Sequence, residues 1–184
     1  MKRKTLIIGG AVCAAALAVA YLGSPFLAIH GLRDAAASGD RDRLERAVDF
    51  PSVRESLKSQ LQTMMMAHLQ ADPEMQANPF SGLAVMMIPT VVNNAVDVYV
   101  TPDSLASLVR GQKPAEPGSE PVAPPQASEE TDVKATYRYV DLNTFRTEIT
   151  DGVDDPIGMV MHREGLFSWK LKRIELPADL MDRE

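Results

Sequence analysis

The polar and apolar positions of this chain fall into three regimes: one uniformly apolar, one with a helical period, one alternating. Met1-Lys2-Arg3-Lys4 opens with three cations, and Thr5–Gly23 follows as nineteen residues without a charge. Two readings of that block stay open. A bilayer core takes about 20 apolar helical residues, so residues 5–23 suit a membrane anchor. Tyr21 would then sit at the headgroup level, where aromatic rings settle. A secretory signal instead has an apolar core of about 7–15 residues and an Ala-x-Ala site. Ala18-Val19-Ala20 supplies that site, with cleavage before Tyr21. The length of the run favours the uncleaved anchor. In either reading Lys2, Arg3 and Lys4 stay on the cytoplasmic side and the remainder lies across the membrane.

From Ser24 the period becomes helical. Ser24-Pro25 reads as an N-cap followed by proline at the first helical position, and the helix runs through Leu27, Ile29, Leu32 and Ala36 to Ser38-Gly39. Asp40 caps a short second helix with Leu44, Ala47 and Val48 on one side. A third helix starts near Asp49-Phe50-Pro51 and places Val53, Leu57, Leu61 and Met64 at spacings of 4, 4 and 3, with Arg54, Lys58 and Gln62 on another face. Asp72-Pro73 and Asn78-Pro79 bracket a loop. Leu83–Val100 is strongly apolar but carries Pro89, Asn93, Asn94 and Asp97, which predicts a buried helix broken or kinked at Pro89. Thr101-Pro102 begins a short helix with Leu105, Leu108 and Val109 that ends at Gly111.

Gln112–Asp132 holds five prolines and five acids with almost no bulky apolar residue. Such a stretch cannot bury enough surface to offset its chain entropy, and it reads as a mobile linker or a long surface loop. Beyond it the period is two. Tyr137 and Tyr139, then Phe145, Thr147 and Ile149, alternate with polar residues as half-buried strands do. Asp151-Gly152 and Asp154-Asp155-Pro156 make turns. Ile157–His162 and Leu166–Ile174 are two further strands joined through Arg163-Glu164-Gly165, with Trp169, Leu171 and Phe167 as candidates for one face. The expected fold is α+β: an N-terminal transmembrane or signal helix (1–23), a helical part (24–111), the linker (112–132), and a four-stranded antiparallel meander (133–184) packed on the helices of the same domain. The expected core joins the stripe Val53, Leu57, Leu61, Met64 and His68 to the face bearing Trp169 or Phe167 and Leu171.

Composition narrows the function classes. The net charge is −6 even with Lys2, Arg3 and Lys4 counted, so the part beyond the apolar block has no basic excess to neutralise phosphates, and nucleic acid is not an expected partner. The single cysteine, Cys13, lies inside the apolar block. No internal disulfide forms beyond it, and Val12 before it does not suit lipidation. No Gly-x-Ser-x-Gly elbow or glycine-rich phosphate cradle is present, so no catalytic residue and no cofactor is assigned. Asp40-x-Asp42 and Asp154-Asp155 are acid pairs of the kind that cap helices and make turns. Met64-Met65-Met66-Ala67-His68 is the cluster closest to a metal site, since thioether and imidazole suit Cu(I), and Met86 and Met87 would add ligands if their helices pack together. The competing role is core filling, which favours Met where aromatics are 5% of the chain.

Ser24-Pro25-Phe26-Leu27-Ala28, Leu32-Arg33-Asp34-Ala35 with Ser38-Gly39-Asp40, and Val48-Asp49-Phe50-Pro51-Ser52-Val53-Arg54 resemble the bacterial family of domains of unknown function numbered 2939. So do Val100-Thr101-Pro102 and Arg163-Glu164-Gly165-Leu166-Phe167-Ser168-Trp169-Lys170-Leu171. The resemblance spans Ser24 to Pro177 apart from the linker. It implies a proteobacterial protein with an N-terminal apolar segment and brings no catalytic residue with it. A looser similarity of architecture is to the nuclear-transport-factor-2-like, or cystatin-like, cones, which often enclose an apolar pocket.

The expected function is that of a non-catalytic envelope domain held in the membrane through residues 5–23, binding a partner protein or a small apolar ligand. The expected location is the inner membrane, single pass, with the C-terminal domain periplasmic; release to the periplasm after cleavage following Ala20 is the other. The alternatives are an enzyme using a pocket in a cone-like fold, with His68 and Asp49 as first candidates, and a Met/His copper protein.

Overall fold

The computed structural model describes residues 2–78, 80–109, 134–150 and 156–177. The Gln112–Asp132 linker, the Asp151–Asp155 turn with its acid pair, and Gly111 lie outside them.

The first helix, α1, runs unbroken from Lys2 to Ser38, about 55 Å at the helical rise. No new helix begins at Ser24-Pro25, because the backbone there is helical on both sides. Proline has no N–H for the carbonyl four residues back. The Ser24 hydroxyl meets that need, donating to the Tyr21 carbonyl at 2.7 Å. The expected stop at Ser38-Gly39 is real. Gly39 takes φ 68°, and Gly39 N and Asp40 N return to the Ala36 and Ala35 carbonyls at 3.2 and 2.9 Å, the paired bonds of a left-handed helix cap. Asp40 then caps α2 (Arg41–Ala47) by accepting from Arg43 N at 3.0 Å.

Asp49 caps α3 (Phe50–Ala71), accepting from Ser52 N at 3.1 Å. The loop expected between Asp72 and Pro79 contains a short helix, α4 (Pro73–Ala77), whose first amides bond to the Asp72 carboxylate. Next, α5 (Ser81–Tyr99) passes through Pro89 without a break. Pro89 is exposed, so water can meet the carbonyl left without a donor. This helix is also not buried as expected. Only Ile88, Val92 and Val96 are inside, against α3, while Leu83, Met86, Met87 and Val91 face outward. Thr101 caps α6 (Pro102–Val109) through its hydroxyl, which accepts from Ser104 N at 3.2 Å.

The sheet is an antiparallel meander in the order β1-β2-β3-β4: Lys134–Asp141, Thr144–Thr150, Ile157–Arg163 and Trp169–Glu175. The fourth strand starts at Trp169; Leu166 and Phe167 belong to the preceding loop, closed by Glu164 N donating to Ser168 O at 3.0 Å. Phe145, Met161 and Leu171 are register neighbours across β2, β3 and β4, and with Trp169 they form the buried face. Both α1 and α3 lie on it, and Leu32, Ala35, Val53 and Leu57 join one core with the sheet residues. The α3 stripe continues as Leu61, Met65 and Leu69, at spacings of four. Met64 is half-buried and His68 exposed, so neither extends the core stripe as the sequence suggested. The outer edge of β4 is covered. Val48 bridges Leu171 in parallel, and the Gln60 amide donates to Ile174 O at 2.7 Å while accepting from Leu176 N at 2.9 Å. This removes an open edge that would otherwise template pairing.

Candidate functional site at the helix–sheet junction

The densest polar constellation among the described residues lies where α1 meets the sheet, at the end of the apolar block. Its centre is Arg163, the last residue of β3. The guanidinium donates to four acceptors: Leu142 O at 3.1 Å, Leu166 O at 2.6 Å, Ser24 Oγ at 3.3 Å and Tyr21 O at 3.3 Å. It also lies between two rings, 3.7 Å from the Tyr21 centroid and 4.2 Å from that of Trp169. A planar cation with five donors suits this position, and a lysine would reach only part of it.

Ser24 is the second pivot. Its hydroxyl is buried, donates to Tyr21 O, and accepts from Trp169 Nε1 at 2.8 Å as well as from Arg163. Its one donor and both lone pairs are therefore engaged. Tyr139 completes the frame, donating its hydroxyl to Leu22 O at 2.6 Å. Burial raises the Tyr139 hydroxyl pKa above 10.0, while Arg163 opposes the rise. Pro25 accounts for the part of the arrangement at Tyr21. By withholding an N–H it leaves the Tyr21 carbonyl for groups outside the helix. Below these bonds Phe26 packs edge-on to Phe145 at 5.2 Å, and Tyr139 edge-on to Phe145 at 4.9 Å, favourable geometries for aromatic pairs.

The residues singled out from the sequence stand elsewhere. Met64, Met65 and Met66 are half-buried on α3, His68 is exposed, and Met86 and Met87 project from the outer side of α5. Asp49 and His68 do not meet: they lie nineteen residues apart along α3, about 28 Å along the axis. Asp49 instead pairs with Lys172 at 3.1 Å. Its pKa is lowered mainly by the Ser52 amide, with burial opposing and Lys172 adding to the fall. Asp40 and Asp42 serve the start of α2. A second polar area, an open groove of about 1240 Å³, runs between α3 and the outer sheet face, past Ser56, Arg146, His162 and Arg173. Arg146 there is held by Glu148 at 3.1 Å and Glu175 at 2.9 Å.

Sequence reasoning missed Arg163, Ser24 and Tyr139 as a group. By sequence Arg163 belongs to a hairpin connection and Ser24 to a helix cap. The available signal was Ser-Pro directly after a long apolar run, since a proline inside a helix frees a carbonyl. Nothing in the sequence indicates that β3 supplies its donor.

The fold is thus an α+β domain whose N-terminal apolar helix is built into its own sheet. Residues 14–108 match the family described as protein of unknown function (DUF2939), and the chain belongs to that family. No curated protein and no solved structure matches it, so the likeness to cone folds gains no support from a structural neighbour.

Proposed function

We propose that this chain is a single-pass envelope protein whose α+β domain is held rigidly at the outer surface of the inner membrane as a non-catalytic binding module. The observation that carries the reading is the continuity of α1. One helix includes the apolar stretch from Ile7, long and apolar enough to cross a membrane, and ends in the domain core at Ala35 and Ala36. The Arg163–Ser24–Tyr139 frame fixes the point between the two. A flexible tether would let the domain sample orientations; this junction holds one.

A partner protein suits the exposed side of α5 better than a small apolar ligand suits the interior. Between sheet and helices the space is filled by Phe145, Trp169 and Met161, each at most 4% exposed. Met86, by contrast, is 77% exposed on a helix whose outer positions are largely apolar, the kind of surface that marks association sites. The test is a reporter fused after Glu184 in intact cells, with membrane fractionation and cross-linking from Cys substituted at Met86. Export-dependent reporter activity, retention in the membrane after alkaline wash and a discrete cross-linked species are expected. Reporter activity in the cytoplasm refutes the topology, and release by the wash refutes the anchor.

A further inference from the structure

Two hairpin loops end beside the point where α1 leaves its apolar stretch. The β1–β2 turn carries Leu142, 65% exposed, and the β3–β4 loop carries Leu166, 71% exposed, and Phe167, 49% exposed. Their position is fixed. One guanidinium, that of Arg163, bonds the carbonyls of Leu142, Leu166 and Tyr21 together, so the three backbones lie within roughly 8 Å of one another, two hydrogen bonds plus the width of the cation. Tyr21 is the first residue after the Ala18-Val19-Ala20 run.

We propose that the tips of these two loops enter the interfacial layer of the bilayer that α1 crosses, giving the domain three points of attachment to one leaflet. This rests on the anchoring reading above. The occupant of the patch is lipid rather than a protein because the patch is continuous with the apolar helix and at the level of its emergence. Leucine and aromatic side chains on the apolar side of an interfacial element favour that layer. The acids of the two loops limit entry to the headgroup layer. The Asp141 carboxylate accepts from the Asn143 backbone N–H at 2.7 Å and stays ionised, while Glu164 is paired with Lys172 at 3.0 Å and Lys170 at 3.5 Å.

The experiment uses the full chain with Cys13→Ala, which removes the only thiol. Single cysteines at Leu142, Leu166 or Phe167, and at Ser59 on the exposed side of α3 as control, carry an environment-sensitive fluorophore. The protein is reconstituted into phosphatidylcholine–phosphatidylglycerol vesicles and floated. The expected result is a blue shift at the three loop sites and quenching there by a spin label placed high on the acyl chain, with neither at Ser59. Protein that floats while its loop probes stay as wet as Ser59 overturns this inference and leaves the anchor standing. Protein that does not float overturns both. A blue shift that follows the protein-to-lipid ratio and ignores the lipid quencher assigns the loops to a second copy of the chain and also overturns the proposal.

Discussion

Among the described residues two helices are long and apolar enough to cross a membrane by length and composition, Ile7–Ser38 within α1 and Ser81–Tyr99, yet they are bound to the rest of the molecule in different ways. Where it leaves its apolar stretch, α1 has its backbone carbonyls at Tyr21 and Leu22 captured by side chains from the sheet. Within α5 the ties are side chain to side chain, and only at its C-cap does a carbonyl, that of Val100, accept from a side chain, Arg54 Nε at 2.9 Å. Asn93 accepts from Gln62 at 3.2 Å and Asp97 pairs with Lys58 at 2.8 Å, while three residues enter the core. Both lie against the domain, but only α1 has a proline placed to give up a carbonyl to a neighbouring element. Apolarity alone did not determine either helix's surroundings; the polar groups interrupting it did. In α5 those groups (Asn93, Asp97) turn one side toward α3 and leave the opposite side apolar and open.

The comparison breaks most sharply in the core beneath α1. Phe145→Ala removes the ring on which Phe26, Tyr139 and Trp169 converge, and a loss of about 3–5 kcal/mol is expected from denaturant unfolding of the full chain in detergent. Leu57→Ala, beneath α3, is expected to cost about 2–5 kcal/mol; an unchanged midpoint would remove α3 from the core. Arg163→Ala tests the junction itself. Loss of its charged hydrogen bonds is expected to cost about 1.5–3 kcal/mol, with Arg163→Lys recovering little because a point cation cannot hold four acceptors between two rings. If lysine restores stability fully, only charge matters there.

Asp49 gives a smaller effect with a pH signature. Asp49→Ala is expected to cost about 0.5–2 kcal/mol through loss of the α3 cap. Because the folded pKa is depressed, the carboxylate's contribution is complete above the ordinary value of 3.8 and disappears as pH falls through the lower folded value. Acid titration of stability should therefore bring the native chain and Asp49→Asn together below that range; a constant gap would deny the Lys172 and Ser52 contacts their role. On the outer side of α5, Met86→Ser or Val91→Ser should change stability by no more than about 0.5 kcal/mol. A large loss there would mean that this side is covered within the fold.

Much of the local structure was legible because it is local. Gly39, Asp40 and Thr101 cap where they were expected to, and α3 begins at Asp49 as expected, since each cap is a bond between residues three to five positions apart. The alternation of Phe145 and Thr147 announced a strand, and the meander followed from short connections. The Asp72–Pro79 segment has the bracketing prolines of a loop although Asp72-Pro73 carries a helix-start signal, and the apparent helix start at Ser24-Pro25 is a local signal pointing the wrong way. In isolation serine before proline caps a helix. Within α1 the same pair sits inside one, its missing donor replaced by Ser24 Oγ and by a guanidinium 142 positions away in sequence.

The sequence by itself determined the apolar N-terminal stretch, the helices that follow apart from α4, the four strands and the α+β class, because hydrophobic period, capping chemistry and turn residues act over a few positions. Only the tertiary structure decided that α1 is one helix from end to end, that Met65 rather than Met64 extends the α3 core stripe, that α5 keeps an apolar side outside, and that Arg163 is the centre of a site. Those outcomes depend on which carbonyl, ring or helix side is brought opposite a residue by elements far away in the chain. A pattern of single residues carries no record of that pairing.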